Sequence, residues 1–128
     1  MLSAAVNHCF EVKFVEDTIF SKMIRREIPA DIVHEDDEVI GFRDINAQAP
    51  THILFIPKRP IATLNDLQES DAALIGKLVL AATRYARAEG FADEGYRCVI
   101  NCNGHGGQTV YHLHLHLLGG RQLHWPPG

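Results

Sequence analysis

From Tyr111 to Leu118 the chain reads Tyr-His-Leu-His-Leu-His-Leu-Leu, a strict alternation of histidine and leucine. Successive side chains on a β-strand point to opposite faces, so this spelling predicts a strand with His112, His114 and His116 on one face. Leu113, Leu115 and Leu117 then face the other way, into packing. Three imidazoles together suit a metal site or an imidazole-based catalyst better than a plain solvated face. Both readings stay open on the strand alone.

The preceding chain supplies the rest of a sheet. Asp17 is a candidate N-cap for a helix over Thr18–Glu27, with Ile19, Phe20, Met23 and Ile24 as its apolar stripe and Pro29 marking its end. Ile32–Glu35 and Val39–Asp44 flank the acidic pair Asp36-Asp37 and read as a hairpin. The loop Ile45–Thr51 leads into a strand over His52–Lys58, closed by Pro57 and Pro60. Ser70 is the candidate N-cap of the longest helix and Gly90 its stop, with Leu74, Ile75, Leu78, Val79, Ala82, Tyr85 and Ala86 at helical spacing. A fourth strand over Tyr96–Cys102, a glycine-rich loop and the His/Leu strand complete the fold, and residues 119–128 form a tail.

This order predicts one α+β domain with a mostly antiparallel five-stranded sheet. The long helix covers one face, and the other stays open for a ligand. Period-two counting lists what shares the histidine face: Ile40, Phe42 and Asp44; His52, Leu54, Ile56 and Lys58; Arg97, Val99 and Asn101. Each set mixes apolar residues with a polar end, which suits a pocket with apolar walls and a polar floor.

The 128 residues carry a net charge of −4, which offers no broad basic surface to a nucleic-acid backbone. No apolar run approaches the roughly 20 residues of a membrane span. Residues 1–16 read as a poorly ordered leader rather than a signal peptide, and 17–128 as the domain. Of the three cysteines, Cys98 and Cys102 are four positions apart in a predicted strand. That is roughly 13 Å if extended, too far for a disulfide. A reducing cytoplasm fits best.

The loop Asn103–Thr109 separates the two chemistries. Gly104, Gly106 and Gly107 let the backbone bring N–H groups close to an anion, Thr109 adds a hydroxyl, and Asn101 and Gln108 add amides. A donor-rich loop directly before three histidines favours phosphoryl or nucleotidyl transfer over metal binding.

The pattern His112-Leu-His114-Leu-His116-Leu-Leu resembles the signature of the histidine triad (HIT) family of nucleotide hydrolases and transferases. Thr18–Lys22, Ile28-Pro29-Ala30, Asp44-Ile45, Gln48–His52, Gly106–Tyr111 and the tail from Gly119 to Gly128 look like its Hint branch. The resemblance implies a purine nucleoside phosphoramidase acting on adenosine 5′-monophosphoramidates and acyl-adenylates, without a cofactor. It also implies a homodimer whose sheets join into one continuous ten-stranded sheet. Uridylyltransferases of the family replace the third histidine with glutamine, and His116 argues against that branch.

Carried over by position, His114 would be the nucleophile that attacks the α-phosphorus. His116 and Asn101 would bind phosphate oxygens with Gly107 and Gln108 of the loop, and His112 would orient His114. Thr109 stands where the family has a serine near the scissile bond. Asp44 would accept the ribose hydroxyls, and Ile19, Phe20, Met23, Phe42, Ile45 and Leu54 would line the base pocket. His52 would support the phosphate site, and Trp125 would reach the partner subunit's site. The family's structural zinc ligands match Thr18, Ser21, Pro60 and His112, three of which are not zinc ligands, so no structural zinc is expected. A nucleotide-binding or scaffolding role with incidental turnover is the alternative; a zinc-dependent hydrolase is the remaining one.

Overall fold

Residues 15–128 are described by the computed structural model, and the leader expected over 1–16 lies, up to residue 14, outside them. The strands are β1 (Ile32–Glu35), β2 (Val39–Arg43), β3 (Thr51–Pro57), β4 (Tyr96–Val99) and β5 (Leu115–Gly119). They lie in the spatial order β1-β2-β3-β5-β4, and every neighbouring pair is antiparallel. The hairpin turn is fixed by Asp36, whose carboxylate accepts the backbone N–H groups of Glu38 and Val39, each at 2.8 Å. Those bonds favour the ionised form and hold the Asp36 pKa at about 2.

The long helix α2 (Ala72–Ala88) lies on one side of the sheet. Leu78, Ala81 and Ala82 pack there with Val39, Ile53, Phe55, Leu113, Leu115 and Leu117, all buried. Gly41 stands directly opposite Phe55, and a methyl group on it would come within 2.7 Å of that ring. A glycine here lets the phenyl ring lie across the strand. The short helix α1 (Ile19–Ile24) covers part of the opposite side, where Phe20 packs on Ile40, Phe42, Leu54 and Ile56. That face is therefore partly roofed rather than open.

Several boundaries move from the sequence reading, each for a local reason. Thr18, not Asp17, caps α1: its hydroxyl accepts the N–H groups of Phe20 and Ser21, while Asp17 pairs with Arg25. The helix stops at Ile24, and Arg26 turns left-handed at φ 63°. Ser70 does not cap α2. It sits in a 3-10 turn over Glu69–Asp71, and Asp71 accepts the Gln68 N–H at 2.8 Å and pairs with Arg59. Val79, expected to face the core, is exposed. β4 ends at Val99 rather than Cys102, and Asn103–Gly106 forms one helical turn, α3, inside the glycine-rich loop. Cys98 and Cys102 are both free thiols.

Candidate active site

The β5 ladder begins only at Leu115, so His116 alone of the three histidines belongs to the paired strand. It lies between Leu54 of β3 and Val99 of β4, and Leu118 lies opposite His52. Period-two counting therefore places His52, Leu54, Val99 and His116 on one face, as expected. His112 and His114 precede the ladder on the same side, both in contact with Phe20, at ring-centroid distances of 6.2 Å and 5.1 Å. The His114 and His116 centroids are 4.9 Å apart.

Each ring has one nitrogen committed to the fold, which settles where its proton sits when neutral. Nδ1 of His114 is 2.7 Å from the His112 carbonyl oxygen. A carbonyl can only accept, so Nδ1 carries the proton and Nε2 keeps a free lone pair. Nε2 of His112 likewise donates to the Pro57 carbonyl at 2.7 Å. Its buried Nδ1 is left as an acceptor without a protein partner among the described residues. For His116 the logic runs through His52. The Gln48 backbone N–H donates to His52 Nδ1 at 3.0 Å, so the His52 proton is on Nε2 and points at His116 Nδ1, 2.9 Å away. His116 then holds its own proton on Nε2, a buried donor with no protein acceptor among the described residues. Sequence periodicity found the face but not this chain of bonds, because Gln48 sits in an aperiodic loop.

Burial favours neutral imidazole at all four positions. Desolvation lowers the pKa of His52, His112 and His114. His116 falls furthest, to about 4, through desolvation first and then the fields of His114 and His52. Asp44 opposes this at His52, His114 and His116. Its carboxylate lies 3.4 Å from His52 Nε2 and accepts the Asn46 N–H at 2.9 Å.

Around the rings, Gln108 is buried and fully engaged. Its side-chain oxygen accepts the Asn103 N–H at 2.9 Å, and its amide donates to Ala62 at 2.8 Å and Val110 at 3.1 Å. The Gly107 N–H donates within the loop to Gly104 at 3.0 Å. Thr109 is exposed and Asn101 half-buried, against the backbone of Gly106. Of the residues expected to form a base pocket, Phe20, Phe42 and Leu54 are packed together, Met23 lies beside them, and Ile19 and Ile45 are exposed. Trp125 is 81% exposed. His105 and His124 are exposed, while His34 is half-buried and bonds Asp36.

Residues 25–123 match the HIT domain. The chain is 56% identical to the purine nucleoside phosphoramidase of Escherichia coli K12 over 108 residues, 84% of this chain and 91% of that one. The chain belongs to the HIT family. An uncharacterised HIT-like protein of Synechococcus elongatus is 62% identical over 113 residues, 88% of this chain and 98% of that one. A crystal structure of a HIT family hydrolase from Legionella pneumophila superposes with a TM-score of 0.86 at 53% identity, covering 88% of this chain and all of that one. Family and fold together make the protein a HIT family hydrolase.

Among the described residues, two places in this HIT domain invite a metal, and neither fits one. Ser21, Pro60 and His112 line a cavity of about 200 Å³. Pro60 offers no side-chain donor atom, and the Thr18 and Ser21 hydroxyls are engaged with each other's backbone N–H groups in the α1 cap. One imidazole lone pair remains, too few for a zinc ion that takes four ligands. Asp44, His52 and His116 also present donor atoms within 4.8 Å of one another. Binding through His52 Nε2 would move that ring's proton to Nδ1, where the Gln48 N–H already donates.

Proposed function

We propose that this HIT hydrolase is a purine nucleoside phosphoramidase. It cleaves the P–N bond of adenosine 5′-monophosphoramidates, and the equivalent bond of acyl-adenylates, through a nucleotide covalently held on His114. The observation that carries this reading is the bond from His114 Nδ1 to the His112 carbonyl, which leaves Nε2 as a neutral, oriented nucleophile. Nε2 bonds to the α-phosphorus, the P–N bond breaks, and the nitrogen leaves as an amine after taking up one proton. Water then attacks the phosphorus, loses a proton, and releases AMP while the lone pair returns to Nε2.

The Nε2–H of His116 and the Asn101 amide hold the phosphate oxygens, while the Gly107 N–H, given to the Gly104 carbonyl, and Gln108 hold that loop in shape. Thr109 approaches the leaving group. Asp44 accepts the ribose hydroxyls, and the purine enters beside Ile19, Phe20, Met23, Phe42, Ile45 and Leu54. The 56% identity to a phosphoramidase supports the substrate class.

The protein works as a homodimer. β4 ends the sheet, so its outer edge is open to a second copy, which would extend the sheet to ten strands and bring Trp125 to the partner's site. Among the described residues no helix is long and apolar enough to cross a membrane, and the free thiols suit the cytoplasm. The decisive experiment incubates the protein with adenosine 5′-phosphoramidate and measures AMP. Release abolished by His114→Ala, with a trapped adduct mapped to His114, supports the reading. AMP binding without turnover in either protein overturns it in favour of a binding role.

A further inference from the structure

The hydrogen-bond chain that fixes His116 does not end at Gln48. Its carbonyl oxygen accepts from the Arg121 guanidinium at 2.9 Å. Arg121 lies in the tail after β5, 73 residues away in sequence, and a second bond at 3.0 Å to the Gln122 carbonyl aligns the same guanidinium. The neighbouring contact holds the tail in the same place. Gly120 adopts φ 93°, and a methyl group there would come within 2.8 Å of Pro50, so only glycine lets the tail lie against this loop. Gln48 is gripped from within as well, its side-chain amide donating to the Asn46 carbonyl at 2.9 Å.

Both backbone polar groups of Gln48 are thus in use. The carbonyl faces the tail, and the N–H faces His52 Nδ1 at 3.0 Å. We propose that Arg121 is a positioning residue which, through the Gln48 backbone and His52, keeps the proton of His116 on Nε2. A backbone N–H can only donate, so the direction of the whole chain is set at this point and cannot reverse. If Gln48 drifts, only Asp44, 3.4 Å from His52 Nε2, still favours the proton there, and His116 Nδ1 loses part of the donor that excludes the other tautomer. The donor that His116 offers the substrate would then be present only part of the time. The consequence for turnover rests on the phosphate-binding role of His116 proposed above; the tautomer does not.

The test uses the full chain with ¹⁵N-labelled histidine, in spectra that identify the protonated ring nitrogen, alongside steady-state hydrolysis of adenosine 5′-phosphoramidate. Arg121 is exposed and its bonds are to backbone carbonyls, so Arg121→Ala should fold, which a thermal melt checks. The expected result is a wild-type His116 protonated on Nε2 and a mixture of tautomers in Arg121→Ala. With it, kcat should fall about fivefold, part of the roughly tenfold or more that complete loss of a hydrogen bond to a charged phosphate costs, and KM should change little. His52→Gln, which keeps an N–H donor, should retain more of the Nε2–H form than His52→Ala. A wild-type His116 protonated on Nδ1 overturns the proposal, and so does an Arg121→Ala protein with unchanged tautomer and kcat. Altered tautomers in a protein that hydrolyses no phosphoramidate would uphold the Arg121 chain and overturn the phosphoramidase reading instead.

Discussion

Nδ1 of His114 donates to the backbone carbonyl of His112, not to its side chain. Removing the His112 ring therefore leaves the bond that orients His114 in place. His114→Ala is expected to cut phosphoramidate turnover by roughly a thousandfold or more, whereas His112→Ala should keep measurable activity. The cost of His112→Ala should appear in stability instead, because the buried ring is lost and the Pro57 carbonyl loses its donor. About 2–3 kcal/mol is expected, read from urea denaturation beside the activity assay.

Burial lowers the pKa of His114 below the ordinary imidazole value. A neutral nucleophile then persists into mildly acidic solution. The kcat/KM profile should have its acid limb centred below the ordinary imidazole value of about 6.5. An acid limb centred at or above 6.5 would contradict this.

His116 makes the fold itself sensitive to acid. In the unfolded chain its ring titrates near 6.5, whereas in the folded protein it resists protonation until about 4. Between those values the unfolded state takes a proton that the folded state does not, so stability is full above about 6.5 and falls as the pH drops toward 4. At about 1.4 kcal/mol for each pH unit, this comes to about 3 kcal/mol, a total that His116 shares with its neighbours His114 and His52. His112 and His114 act in the same direction. Urea midpoints measured from pH 7.5 to 4.5 should fall steadily, and less steeply in His116→Asn.

Gln108 holds three backbone groups at once, so its removal separates holding the loop from touching the substrate. Gln108→Ala should destabilise the protein by about 2 kcal/mol and raise KM. Gln108→Glu keeps the bond to the Asn103 N–H but turns the two amide donors into an acceptor facing carbonyls. It should be at least as damaging. Comparable stability and KM for all three proteins would show that the loop does not need this side chain.

Neither group of described residues that could draw in a metal fits one, so chelation should leave activity unchanged. A full rate after dialysis against EDTA, with no zinc by elemental analysis, is the expected outcome. Loss of activity restored by zinc would reopen the metal-dependent alternative.

Much of this arrangement was legible in the sequence because strands obey a simple period. His52, Leu54, Val99 and His116 were placed on one face by counting, and the register bears this out. The antiparallel α+β fold followed from the order of elements. Ends of elements were less legible: Thr18 competes with the neighbouring Asp17 for the α1 cap and only the bonded geometry separates them, while α2 starts without a side-chain cap, the Asp71 carboxylate being held by the turn before it. The tautomers were not legible at all. They depend on the carbonyl of Pro57, 55 residues from His112, and on an amide in the loop before β3. Residue types alone do not say which backbone group a ring will meet.

The three rings of the His/Leu segment present their remaining nitrogens in a fixed order of polarity: acceptor at His112, acceptor at His114, donor at His116. An inhibitor for this site inherits that order. It must place a lone pair before His116 and an electron-poor centre or an N–H before His114. A molecule of the same shape with those two features exchanged would meet like against like at both rings.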